Sequence, residues 1–360
     1  MRSKLILLAS CLFAALLPSR AADGPVPPRR ARIIFSIRVQ DWVHYSESAD
    51  TVTRLIGIFD RHKVRADILL AGPVVEKYAL ARPEILRALR ESGLSIGYLI
   101  LPPHPAFSGF ESELAALGDP ELAVTLANVE RFGIDPATGA IVSKRPGNFA
   151  LVASIFERAP AVAWPASRGR IHSSMCDIYE NMGTRMIIMK TDALRKAGGA
   201  FVFCGRMLVR PDDIRVDQWR AKGESLETAW WNRVGDPSFN PVERITTLLS
   251  QWEGERAPNI VCELEENVFA RRGPVAWTSY YYDEKGRPLK PPYDLKAPDP
   301  SDPRPKEEQE AIWRAFEALV AHAGKNFEVV TSDDLLNSAT SNGFMPPPAG
   351  MPILLRQPGQ

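Results

Sequence analysis

The stretch Arg32-Ile-Ile-Phe-Ser-Ile-Arg-Val39, followed by Gln40-Asp-Trp-Val-His44, decides how this chain is read. The first eight residues are β-rich and apolar, and they read as the first strand of a sheet covered by helices. A helix follows from about Ser48, with Val52, Leu55, Ile56 and Phe59 on one face and His62 in its last turn, near the negative end of the dipole. Ala66 to Leu70 is a second strand. Glu84 to Glu91 is helical and stops at Gly93, and Leu94 to Leu101 is a third strand. The alternation continues through Glu121–Phe132, Ile141–Ser143, Val152–Arg158, Val162–Trp164, Asp177–Gly183 and Arg185–Met189. It resumes with a helix over Val242–Trp252, a strand over Ile260–Leu264, a helix over Glu307–Ala323 and a strand over Phe327–Val330. Seven or eight such units predict an α/β fold, an irregular (β/α) barrel of parallel strands.

Outward from this core, the N-terminus reads as a secretion signal over residues 1–22. Arg2 and Lys4 precede an apolar run from Leu5 to Leu17, too short to span a bilayer, with small residues near Ala21. Leu8-Ala9-Ser10-Cys11 resembles a lipoprotein box, but the apolar run continues past the cysteine, so ordinary cleavage ranks first and the mature protein is expected to be secreted or periplasmic. Residues 23–340 form one domain, with irregular insertions near 201–231 and 280–305. A flexible, proline-rich tail is expected over 341–360. No later segment approaches the length of a membrane helix. The composition, 45% hydrophobic and 24% charged, is that of a globular chain. Three of the 44 basic residues (Arg2, Lys4, Arg20) lie in the expected signal, against 43 acidic residues, so no footprint for nucleic acid or anionic membrane emerges. Cys176, Cys204 and Cys262 remain after cleavage, allowing at most one disulfide and lacking the paired CxxC spacing of a zinc ribbon.

Several segments together resemble the polysaccharide deacetylase family, the NodB-homology fold. They are Phe35 to His44, Arg61-His-Lys-Val-Arg-Ala-Asp-Ile-Leu-Leu70, Gly93-Leu-Ser-Ile-Gly-Tyr-Leu99, Lys144-Arg-Pro-Gly-Asn-Phe149 and Phe327 to Leu335. The resemblance implies an irregular (β/α) barrel. It also implies a divalent metal held by one carboxylate and two histidines, an aspartate base and a late histidine acid. Most of that apparatus is replaced here. Arg38 stands at the leading aspartate, Leu99 at the first metal histidine and Pro103 at the second, with His104 one residue late. Ile260-Val-Cys-Glu-Leu-Glu-Glu-Asn267 replaces the late histidine motif. An arginine is no base at neutral pH, and a leucine offers no lone pair.

Candidate site residues nevertheless cluster at the expected C-terminal ends of strands. Asp41, His44 and His104 would form a rebuilt zinc site; Asp41, His104 and Glu265 are the candidate catalytic groups. Trp42, Arg38, Tyr98, Arg145, Glu266, Asn267 and Trp277 are candidates for substrate binding. Each has a plainer reading. The two histidines are more often ordinary surface or capping groups, and Arg145 equally clamps Asp41 or substrate, or merely belongs to a turn shaped by Pro146 and Gly147. Glu263, Glu265 and Glu266 are general acids, or the latter two pair with Arg38 and fill the former metal cavity. Trp230, Trp231, Trp277 and Tyr280 to Tyr282 are a stacking platform for sugar rings or core and loop anchors. His172 and His322 read as surface residues.

Two functions follow. One is a glycan-directed binding protein or pseudoenzyme that uses no cofactor; the other is a metal-dependent hydrolase removing an acyl group from an amino sugar with a displaced ligand set. The missing aspartate and histidines favour the first. A purely structural partner in the cell envelope is a third reading.

Overall fold

The computed structural model describes residues 30–189, 201–216, 218–219, 228–234, 239–254, 256–341 and 354–356; the expected signal and most of the tail lie outside them. One sheet organises the chain. Its strands are β1 (Arg32–Val39), β2 (Asp67–Ala71), β3 (Ser95–Leu99), β4 (Val162–Trp164), β5 (Met186–Ile187), β6 (Phe201–Cys204), β7 (Met207–Val209), β8 (Ile214–Arg215), β9 (Asn259–Glu265), β10 (Glu328–Val329) and β11 (Leu354–Arg356). Their order is β8-β9-β1-β2-β3-β4-β5-β7-β6-β11, with β10 beside the start of β1. Every pairing from β8 through to β7 is parallel, whereas β6 and β11 add an antiparallel edge. The eight strands of that parallel path match the seven or eight expected. They curl into a half-barrel whose two end strands do not pair with each other among the described residues.

Helices cover the outer face: α1 (Tyr45–His62), α2 (Gly72–Ala81), α3 (Pro83–Glu91), α4 (Asp119–Arg131), α5 (Asn148–Phe156), α6 (Gly169–Asn181), α7 (Pro241–Ser250), α8 (Lys306–Asn326) and α9 (Ser332–Ser341). Strand alternation explains how β1 serves two environments at once. Phe35 points outward into a cluster with Phe59 of α1 and Phe316 of α8, which Phe269 and Trp231 complete. Ser36 and Arg38 point inward. Trp231 is therefore a core residue. The α2 helix, absent from the sequence reading, starts directly after β2 at Gly72, where a Cβ would stand 2.3 Å from the Asn148 side chain of α5. That contact requires glycine.

Three expectations change. Ile141–Pro146 joins an antiparallel hairpin with Phe132–Ile134 outside the main sheet, because only six residues separate the two runs. The segment read as an insertion near 201–231 supplies β7 and β8 to the parallel path. Leu354–Arg356, within the tail expected to be flexible, pairs with β6; a short apolar run suffices to extend an exposed sheet edge. No helix among the described residues is long and apolar enough to cross a membrane.

Candidate functional site

A cavity of about 310 Å³ opens at the C-terminal ends of β1, β3, β4 and β9. Arg38, Leu99, Trp164, Glu265 and Trp277 are in its wall, with Gln40 and Thr278 adding polar groups. Register builds it. Arg38 and Glu265 are direct partners across β1 and β9, as are Ser36 and Glu263, so two inward positions on each strand set a cation beside one carboxylate and a hydroxyl beside the other. Arg38 Nη2 lies 2.8 Å from Glu265 Oε1, and the guanidinium stands 5.0 Å from the Trp164 ring centroid. Beneath this pair, buried Glu263 meets Arg210 at 3.1 Å and Arg215 at 3.0 Å, with Arg38 Nε at 3.6 Å. Arg210 also donates to Ser36 Oγ at 2.8 Å. Burial pushes the Glu263 carboxyl up, but Arg215, Arg38 and Arg210 together outweigh it and hold it down to about 2. The lumen is thus a lattice in which Arg38, Arg210 and Arg215 meet Glu263 and Glu265, with Asp212 pairing Arg215 at 3.1 Å.

Such a lattice does not fit a divalent cation. A guanidinium occupies the cavity beside the one carboxylate in its wall, and Leu99 offers no donor atom. Among the described residues, the His, Cys, Asp and Glu side chains whose donor atoms gather within 4.8 Å of one another are His172, Cys176 and Cys204, on α6 and β6. Asp41, His44 and His104 form no such group.

The remaining candidates have other partners. Asp41 Oδ1 accepts the backbone N–H groups of Val43 and His44 at 3.2 and 2.9 Å, closing the turn that precedes α1, while Oδ2 faces His44 Nδ1 at 3.2 Å. His44 Nε2 faces Asp299 Oδ2 at 3.1 Å, tying the 280–305 segment to the barrel mouth with help from Arg271, which bonds both Asp299 and Glu47. His104 is fully buried elsewhere: its Nδ1 accepts the Ala106 N–H at 3.1 Å and its Nε2 lies 3.4 Å from Glu130 Oε1. Glu130 also accepts from Tyr98 at 2.9 Å and Tyr179 at 2.6 Å. Burial, and then Glu130, push both phenols well above their ordinary value, keeping them protonated donors.

Tyr98 belongs to that outer cluster because strand alternation sends it toward α4, α5 and α6 while Leu99 faces the cavity. Its candidacy as a substrate ligand is corrected accordingly. Arg145 Nη2 donates to both carboxylate oxygens of Glu76 at 2.6 Å, away from the cavity wall. Glu266 does not pair with Arg38: its Oε1 accepts from the Gln40 and Asp41 N–H groups and from Ser48 Oγ. Burial, reinforced by Asp41, pushes the Glu266 carboxyl up to about 8. Asn267 is buried beside it. Trp42 packs on Tyr280 at 5.7 Å, and Tyr281 and Tyr282 pack edge-on against Phe110, making them loop anchors. His172 is buried, contrary to its surface reading, because helical spacing puts it on the same face of α6 as Cys176. His322 packs half-buried on Phe327. Of the sequence candidates, the cavity unites Arg38, Glu265 and Trp277. Trp164 escaped the sequence reading, although its place at the end of a strand signals an active position.

No family model matches the chain, and no curated protein matches it in sequence. Solved structures do. A protein assigned as a polysaccharide deacetylase from Pseudomonas aeruginosa PAO1 superposes with a TM-score of 0.50 at 10% identity, covering 87% of this chain and 92% of that one. This is the polysaccharide-deacetylase fold. A Mycobacterium smegmatis protein with the same assignment covers 93% of this chain and 99% of its own at 12% identity and a TM-score of 0.48. The 4-alpha-glucanotransferase from Thermococcus litoralis has a TM-score of 0.46 at 13% identity; the match covers 86% of this chain but only 40% of that enzyme. Within the polysaccharide-deacetylase fold, the positions read from sequence as replaced, 38 and 99, share one cavity.

Proposed function

We propose that this chain is an exported pseudoenzyme of the polysaccharide-deacetylase fold that holds a glycan of the cell envelope at the barrel mouth without a metal. One observation carries the reading: Arg38 and Leu99 line the same cavity, and Arg38 is engaged with Glu265 and Trp164 in the space a metal centre would need. Two tryptophans, Trp164 and Trp277, also line the wall beside the polar groups of Gln40 and Thr278. Apolar faces flanked by a few polar groups suit a sugar ring, whose C–H face packs on aromatic rings while its hydroxyls take hydrogen bonds. Export is supported by the basic residues and short apolar run that open the chain.

The test uses the mature chain, dialysed against zinc and assayed for bound metal, for acetate release from chitin oligomers and peptidoglycan, and for glycan binding by calorimetry. Glycan binding without stoichiometric metal or acetate release is expected. Trp164→Ala and Trp277→Ala should each weaken binding about tenfold, in line with the loss of one aromatic contact. Stoichiometric zinc abolished by His104→Ala, together with acetate release, would establish the displaced-ligand hydrolase in its place.

A further inference from the structure

We infer that Cys176 and Cys204 form a disulfide that fastens the β6–β7 hairpin to α6. The two sulfurs stand 2.7 Å apart, and both side chains are buried. A disulfide needs about 2.05 Å between sulfurs. Two thiolates sharing a tetrahedral zinc at about 2.3 Å would stand roughly 3.7 Å apart. The pair is therefore nearer to bonding than to metal spacing: it closes by roughly 0.7 Å to make the bridge and must open by roughly 1 Å to admit the ion. His172 completes the group, one helical turn before Cys176 with a ring nitrogen within 4.8 Å of both sulfurs, so bound metal is the rival outcome.

The bridge has a structural consequence beyond its own residues. Cys204 ends β6, and β6 pairs with β7, where Cys204 is the direct partner of Met207. Arg210, immediately after β7, reaches inward to Ser36 and Glu263 beneath the cavity. Fastening the hairpin to α6 thus steadies the element from which Arg210 enters the lumen. Export into an oxidising compartment, as the N-terminal segment indicates, would allow the bridge to persist. In its formation two S–H bonds break and one S–S bond forms. Two electrons and two protons pass to the disulfide of the oxidant, which opens to two thiols; in vitro the oxidant is oxidised glutathione.

The experiment equilibrates the mature chain in a glutathione buffer poised at an oxidising ratio, unfolds it in guanidinium with an alkylating agent present, and maps the peptides before and after reduction. A single cross-linked peptide pair joining Cys176 to Cys204, with Cys262 alkylated, is expected. Cys176→Ser, Cys204→Ser and the double variant should each lower Tm by the same amount, roughly 5 °C or more, because one covalent link is lost in all three. Reduction should lower the Tm of the parent chain alike, which keeps the test open should a variant fail to fold. Alkylation of both Cys176 and Cys204 in the oxidised sample overturns the inference, as does a bridge to Cys262. Metal binding that requires His172 and both thiols also overturns it. Metal at this cluster is told from metal at the barrel mouth by its loss in His172→Ala and not in His104→Ala, and glycan binding is read separately on the parent chain, so failure here and failure there are distinguishable.

Discussion

Glu263 and Glu266 stand three residues apart in the chain and both are buried, yet their neighbours lead to opposite protonation states. Glu263 is surrounded by Arg38, Arg210 and Arg215, so its anionic form is held and its loss would strand buried cations. Glu263→Gln should therefore cost about 3–5 kcal/mol, read as a lower urea midpoint at pH 7. For the parent chain, the depressed carboxyl means that this stabilisation is present above pH 4.5 and is lost as pH falls toward about 2. Glu266 has the reverse sign. Its folded value of about 8 lies above the ordinary 4.5, so the fold retains a proton that the unfolded chain has released across that interval. Its contribution is complete below pH 4.5 and disappears as pH rises through about 8. Glu266→Gln keeps a carbonyl oxygen for the Gln40, Asp41 and Ser48 donors while removing the titration. Urea unfolding at pH 5 and pH 9 should show the variant gaining on the parent by on the order of a few kcal/mol at the higher pH. A constant difference would show that Glu266 does not titrate in this interval.

Among the elements, β1 and α8 hold the two sides of the sheet in place. The outer face of β1 meets α1 and α8 through Phe35, Phe59 and Phe316, and Phe316 also touches Trp231 and Phe269. Phe316 is fully buried, so Phe316→Ala leaves a cavity lined by four aromatic rings. Thermal unfolding should register a loss of about 3–5 kcal/mol, with no change in glycan affinity where the chain remains folded, because the cluster lies across the sheet from the cavity wall. The same alternation separates Tyr98 from Leu99. Neighbours in sequence serve different functions because a strand sends them to opposite faces.

For the molecule as a whole, the lattice of arginines and carboxylates lies in the wall and beneath the cavity at the barrel mouth. Chelation with excess EDTA should leave both Tm and glycan affinity unchanged; a fall in either would show that a metal contributes to the folded, binding-competent state. The segment spanning 280–305 is fastened to the barrel by the contacts of Asp299 with His44 and Arg271, and of Arg304 with the Val268 carbonyl. It forms a wall of the molecule without belonging to the sheet.

Much of this architecture was legible in the chain because strand and helix periods are local. The runs Arg32–Val39, Val162–Trp164 and Ile260–Leu264 lie in strands of the parallel path, and Glu307–Ala323 lies in a helix. That Arg38 is no proton acceptor and Leu99 no metal donor was likewise written in residue type, since no fold turns a guanidinium into a base or a leucine into a ligand. Tertiary structure alone decided which candidates meet. Cross-strand register joined Arg38 to Glu265 and Ser36 to Glu263 over more than two hundred residues, while Arg210 and Arg215 entered from the segment that looked like an insertion. His104 turned toward Glu130, and His172 toward a cysteine pair, because side-chain direction depends on packing between distant elements. Periodicity specifies an element and one of its faces; what that face meets is set by long-range pairing, which no local pattern encodes.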